Sequence, residues 1–236
     1  MFVVMVAGCG ESADPGTATP STSDRSVVGD VPNEVRIITL GDSQTAGAWL
    51  DEPAVDSWPA QLNEAMCPES VCVENLAQGG QTLVTDVPGG PLPLLVTLDE
   101  QLSSVDVATI AVVLIGQVDL VSSEDVDAIA GGYRELADRL RESGLDVVVF
   151  VTLFPFDPGA YPNPEWLPTL DERRQALNAS LRAMSMPPDV LVVDVEESLT
   201  ADASSWLRPE FGVHDGNHPS PAAARVIALA VAGSLG

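Results

Sequence analysis

The feature that most constrains this chain is a series of unbroken apolar runs, rich in β-branched residues, that alternate with helix-patterned segments. The runs are "EVRIITLG" (Glu34–Gly41), "VCVENLA" (Val71–Ala77), "ATIAVVLIG" (Ala108–Gly116), "DVVVFVTLF" (Asp146–Phe154) and "DVLVVDV" (Asp189–Val195). A strand that is apolar on both faces is covered on both faces, which is the signature of a parallel sheet. The intervening stretches Ser57–Met66, Pro91–Ser104, Ser123–Gly144, Leu170–Met184 and Ser220–Gly236 read as helices. The third has acidic residues at its start, Arg near its end and Gly144 as a stop. The last has Ser220 as N-cap and Pro221 at the first helical position. The alternation predicts an α/β protein: a three-layer α/β/α sandwich on a five-stranded parallel sheet in the flavodoxin-like order 2-1-3-4-5.

That fold locates any site. In open α/β sheets, ligands bind outside the carboxyl ends of the strands. The fragments that follow the strands are "GDSQTAG" (41–47), "NLAQGGQT" (75–82), "GQVDL" (116–120) and, after a long connection, "HDGNHPSP" (214–221). The last holds both histidines of the chain. Ser43 sits at a strand-to-helix turn, where a backbone N–H points outward and favours negative charge. Such a Ser can attack a carbonyl while its own N–H helps hold the oxyanion, but it needs a base. His218 is the better candidate, because Asp215 lies three residues earlier and a tight turn brings its carboxylate to Nδ1. His214 directly precedes Asp215 and reads as a loop residue. The bland alternatives are a capping Ser and a hydrogen-bonded loop His.

Composition narrows the partners. The formal net charge is −25 and all ten cations are Arg. Such a surface repels phosphate backbones and anionic headgroups, which argues against nucleic acid. Residues 1–8 carry an apolar run ending in "VAGC" at Cys9, similar to the lipobox of bacterial lipoproteins, in which the Cys is lipidated. The run is too short to span a bilayer, and the positive residues that usually precede such a run are missing. Residues 9–33, rich in Ser, Thr, Pro, Gly and Asp, read as a flexible tether. The alternative for Cys9 is an ordinary chain start with a packed thiol. The tether composition favours an exported domain over residues 34–236, held to a membrane only through lipid at Cys9. Cys67 and Cys72, in "CPESVC", suit a small disulfide loop in an exported protein.

"LGDSQTAG" and "DGNHPSPAAARVIA", in this order and at this separation, resemble the SGNH, or GDSL, hydrolase superfamily over Glu34–Gly236. The resemblance implies Ser43 as nucleophile, His218 as base and Asp215 as its orienter. It implies oxyanion N–H groups from Ser43 and from Gly80, with Gly79 the alternative register. It also implies hydrolysis of carboxylic, acyl or acetyl esters of small, lipid or glycan alcohols, with no metal or organic cofactor. A monomer is expected. The third block departs from the family's Gly-x-Asn-Asp. Here Val118 stands where a donor Asn is expected, and losing one such donor costs about 10²–10³ in turnover. Gln117, Gln78 and Gln81 are candidate substitutes. A second reading is therefore a weakened acyl- or glycan-binding module on the same fold. Trp49, Trp58, Trp166 and Trp206 are candidates for pocket walls, with core or rim packing as the alternative. The Pro-rich segment Phe154–Leu170 is a candidate substrate loop, and equally a rigid connection.

Overall fold

The computed structural model describes residues 36–105, 108–122, 125–184, 186–201 and 205–236. The expected leader, the tether and Cys9 lie outside the described residues. In chain order the elements are β1 (Ile37–Gly41), α1 (Ser43–Ala46), α2 (Pro53–Asp56), α3 (Trp58–Met66), β2 (Val73–Asn75), α4 (Leu94–Ser103), β3 (Ile110–Leu114), α5 (Gln117–Ser122), α6 (Val126–Glu142), β4 (Val147–Val151), α7 (Leu167–Ala183), β5 (Val190–Val193), α8 (Glu196–Leu199) and α9 (Pro221–Leu235). The five strands form one sheet in the order β2-β1-β3-β4-β5, and every pairing is parallel. This is the expected α/β sandwich.

Burial explains the run lengths. Ala111–Leu114 of β3 and Val148–Val151 of β4 are at most 1% exposed, because helices cover both faces of the central strands. Each Val, Leu or Phe among them contributes about 1.5–3 kcal/mol when removed from water. Each strand is shorter than its apolar run, since the run continues into buried turns beyond the ladder. At the edge, β2 buries only Val73 and turns Glu74 and Asn75 outward.

The helices start and stop where their ends find partners. The Ser57 side chain accepts from the Ala60 N–H at the start of α3. Asp125 caps α6 through the Ala128 N–H. Ser220 caps α9 through the Ala223 N–H, with Pro221 at its first position. Past the end of α3, Cys67 and Cys72 are disulfide-bonded. The Asn63 side chain accepts from the Cys72 and Val73 N–H groups (2.8 and 3.1 Å), so the turn into β2 is fixed covalently and by hydrogen bonds.

One polar cluster lies away from the strand ends of the predicted site. Arg174 of α7 is fully buried. Its guanidinium donates to Asp171 Oδ1 (2.9 and 2.7 Å), to Glu196 Oε1 (2.6 Å) and to the Ser205 carbonyl (3.2 Å). Asp171 Oδ2 accepts from Ser205 and Gln175, both at 2.6 Å. Glu196 Oε2 accepts from Asn178 and Arg182. Every carboxylate oxygen of the cluster thus has a donor, and α7 is tied to the segment after β5.

Candidate active site

The site begins at the end of β1. A side chain on Gly41 would put its Cβ 2.2 Å from Thr45 Oγ1 and 2.3 Å from the Leu114 carbonyl, so glycine alone lets the chain turn there. Asp42 then caps α1, its Oδ1 accepting from the Gln44 N–H at 2.9 Å. Ser43 is the first residue of α1. Its N–H belongs to a first helical turn, whose donors have no intrahelical acceptor.

The second half comes from the loop before α9. The Val213 N–H donates to the His218 carbonyl (3.1 Å) and the Gly216 N–H to the Val213 carbonyl (3.0 Å). Gly216 has φ +67°, and a Cβ there would lie 2.6 Å from both the Asp157 carbonyl oxygen and the Tyr161 nitrogen. The Asp157 N–H donates to the Gly216 carbonyl at 2.9 Å, which seats the Pro-rich connection after β4 directly on this loop.

The two halves meet. The Ser43 hydroxyl donates to His218 Nε2 at 2.7 Å, and His218 Nδ1–H donates to Asp215 Oδ2 at 2.5 Å. The tautomer follows from the partners: a carboxylate accepts at Nδ1, so Nε2 carries the lone pair. Asp215 Oδ1 accepts the N–H groups of Asn217 (3.0 Å) and His218 (3.1 Å). Burial pushes the Asp215 carboxyl up, but the hydrogen bond from His218 and these two N–H donors outweigh it and hold the group below its usual range. His218 is 6% exposed.

Two glutamines that face the loop pin it in place. The Gln44 side chain donates to the Asn217 carbonyl (2.7 Å), and Gln117 Nε2 donates to Asn217 Oδ1 (3.1 Å). Sequence reasoning missed Gln44 and Asn217. Their partners are 173 and 100 residues away along the chain, and no local pattern marks them.

Asp42 was missed as well. Its carboxyl is 1% exposed, and its Oδ2 makes no hydrogen bond of full geometry, although the Gln117 N–H lies near enough to act on the group. Burial raises its pKa to about 7, although the Gln44 N–H and nearby His218 pull it down. The side-chain oxygens of Gln44 and Gln117 are also buried without partners.

The oxyanion candidates divide. Gln78 donates its N–H to the Gly41 carbonyl (3.0 Å), and Gln81 N–H closes a turn on the Gln78 carbonyl (3.1 Å). Gly80, with φ +79°, stands inside that turn beside the Gly41–Ser43 segment. Its own N–H is not the one that closes the turn. The Gln81 side chain is buried against Leu92, Thr97 and Gln101, turned to other partners. Gln78 is exposed. Val118 is half-buried in the first turn of α5. Asp119, fully buried, accepts from the N–H groups of Leu83, Val84 and Thr85 (2.7, 3.0 and 3.0 Å) and so fixes the segment that follows Gly80. An acid inside the apolar "GQVDL" was the signal for it.

The tryptophans separate too. Trp58 is buried core, and Trp206 packs with the Phe156–Leu167–Leu170 cluster. Trp166, 53% exposed, lines a groove with Val121, Thr169 and Arg173. Trp49 is 60% exposed and has φ +70°. Its ring lies edge-on to His214 (5.5 Å between centroids) and tilted over His218 (6.2 Å). A recess of about 380 Å³ lined by Ala46, Pro53 and Asn75 lies on the β2 side. It includes none of Ser43, Asp215 and His218, and the buried polar chemistry lies instead at the strand ends. Among the described residues no cluster of potential metal ligands occurs, and no helix is long and apolar enough to cross a membrane.

A strand-end Ser, a buried His and a turn Asp in one hydrogen-bonded row is the arrangement that the sequence resemblance implies. The sequence pattern of the GDSL-like lipase/acylhydrolase family matches residues 39–226. This chain belongs to that family. Solved structures of the same fold include the carbohydrate acetylesterase Est24 from Sinorhizobium meliloti, with TM-score 0.69 and 17% identity over 85% of this chain and 98% of that one. A GDSL-like lipase from Bacteroides thetaiotaomicron aligns with TM-score 0.65 and 17% identity over 86% of this chain and 88% of its own. The lipase Lip_vut3 from a goat rumen metagenome gives 0.62 and 18% over 85% and 97%. No curated protein matches the sequence significantly. Membership places the chain among hydrolases of the esterase and lipase class.

Proposed function

We propose that this GDSL-family protein is a serine esterase that cleaves carboxylic esters through Ser43, His218 and Asp215. The observation that carries the reading is the row Ser43 Oγ–His218 Nε2–Asp215, at 2.7 and 2.5 Å. His218 takes the Ser43 proton as Oγ attacks the ester carbonyl. The tetrahedral oxyanion is held by the N–H groups of Ser43 and Gly80. His218 then gives its proton to the leaving alcohol, and an acyl-Ser43 ester remains. Water repeats the cycle: His218 accepts its proton, the acid departs and Ser43 is restored. Asp215 stays ionised throughout, fixing the imidazole and offsetting its charge.

The intact row favours turnover over a binding-only module. Val118 leaves the oxyanion without the usual side-chain donor. Gln117 already uses one N–H on Asn217, which favours a hole built from backbone alone. The disulfide and the "VAGC" leader support an exported, lipid-tethered enzyme.

Hydrolysis of p-nitrophenyl acetate by the wild-type protein, with Ser43→Ala as control, tests the reading. Wild-type turnover that Ser43→Ala abolishes is expected. Equal rates in the two proteins overturn it.

A further inference from the structure

Trp49 is held at a cost. Its φ of +70° lies in the left-handed region, and it is the one non-glycine among the described residues to do so. It occupies the turn closed by the Leu50 N–H on the Gly47 carbonyl (3.3 Å), at a position that glycine fills most easily. Core packing does not account for the indole, since the residue is 60% exposed. Its neighbours are instead the rings of His214 and His218.

The direction of proton flow says which part of an ester meets this ring. His218 Nε2 faces Ser43 Oγ. In the first half-reaction the proton on Nε2 goes to the leaving alcohol oxygen, so the alcohol lies beside the imidazole. The acyl carbonyl oxygen points the other way, to the Ser43 and Gly80 N–H groups. An exposed ring whose centroid is 6.2 Å from that of His218 is therefore placed to border the alcohol. His214 packs edge-on against the indole and fixes its plane.

We propose that Trp49 forms the wall of the leaving-alcohol subsite and selects esters whose alcohol carries a flat, weakly polar ring face. This rests on the esterase reading. An aryl ring stacks on an indole, and so does the C–H face of a pyranose. A short alkyl alcohol covers too little of the ring to gain from it. The backbone strain is retained because a Gly at this position would relax the turn and remove the wall.

The test uses three acetates with one shared acyl group: phenyl acetate, a peracetylated methyl xyloside and ethyl acetate. Trp49→Gly is expected to lower kcat/KM about tenfold on at least one ring ester and to leave ethyl acetate within about twofold. Trp49→Phe should retain most of the ring preference. Breakdown of the shared acetyl-enzyme, read as the steady rate that follows the burst, should be unchanged, because the alcohol has left by then. The thermal midpoint of Trp49→Gly should equal or exceed that of wild type, since glycine relieves the positive φ. A loss confined to phenyl acetate or to the xyloside identifies the source of the ring. An equal loss on all three esters, or no loss on any, overturns the proposal while the esterase stands. A wild-type enzyme inactive on all three overturns both.

Discussion

Two buried polar regions of this molecule follow opposite rules. Around Arg174, each carboxylate oxygen of Asp171 and Glu196 has a donor. Around Ser43, the buried oxygens of Asp42, Gln44 and Gln117 each keep one unpartnered acceptor. The first region is a staple and is stable because it is complete. The second is incomplete, and each unpaired acceptor costs roughly 1–3 kcal/mol. The unpartnered atoms are buried oxygens packed beside the Ser43–His218–Asp215 row, a local cost in stability that the Arg174 region does not carry.

The largest effects should cross between the regions. His218→Ala should lower kcat by about 10⁴-fold or more and cost only about 1–2 kcal/mol in urea stability, from the lost hydrogen bond to Asp215. Arg174→Ala should cost about 3–5 kcal/mol by urea unfolding, because it strands two buried carboxylates, yet leave kcat per folded molecule within about twofold. A kcat collapse in Arg174→Ala under native conditions would mean that the two regions are coupled.

Asp42 gives the next effect, through pH. Its carboxyl has a folded pKa of about 7 against 3.8 for the free group. Between these values the native state keeps a proton that the unfolded chain releases. Stability from this group is therefore full below pH 3.8 and falls as pH rises through about 7. Asp215 has the opposite sign: its depressed pKa contributes above the unfolded value and is lost only as pH falls through the folded one. Asp42→Asn keeps an oxygen for the Gln44 N–H and should flatten the slope above pH 4, a change of a few kcal/mol across the window. A slope unchanged in that variant would show that Asp42 is ionised throughout.

The smallest effect should be a gain. Val118→Asn adds a donor amide in the first turn of α5. We expect kcat to rise about tenfold, with KM changing less, because the oxyanion forms only beyond the ground state. Unchanged kcat in steady-state assays would mean that the backbone N–H groups already suffice.

The strands and long helices were legible because burial on both faces forces continuous apolar runs, and caps such as Ser220 act locally. The meeting of Ser43 with His218 was legible because a parallel sheet brings its strand ends to one edge. The four-residue helices α2 and α8 were not, since so short a segment carries no periodicity. Asp42 reads in sequence as an ordinary helix cap, and only its burial distinguishes it. Trp49 gave no local sign of its strain, which exists only in the folded turn.

The contact between Gly216 and the connection after β4 limits how this enzyme can diverge. Asp157 and Tyr161 sit so close to Gly216 that no side chain fits between them. A residue inserted between Asp157 and Tyr161 would open the backbone contact at Gly216 and loosen the loop that holds Asp215 and His218. Turnover would fall before any new substrate contact formed. Insertions that lengthen the connection beyond Tyr161, towards Trp166, leave this seam closed. Length can therefore be added in the second half of the segment, while the first half is as fixed as the Ser43–His218–Asp215 row that it supports.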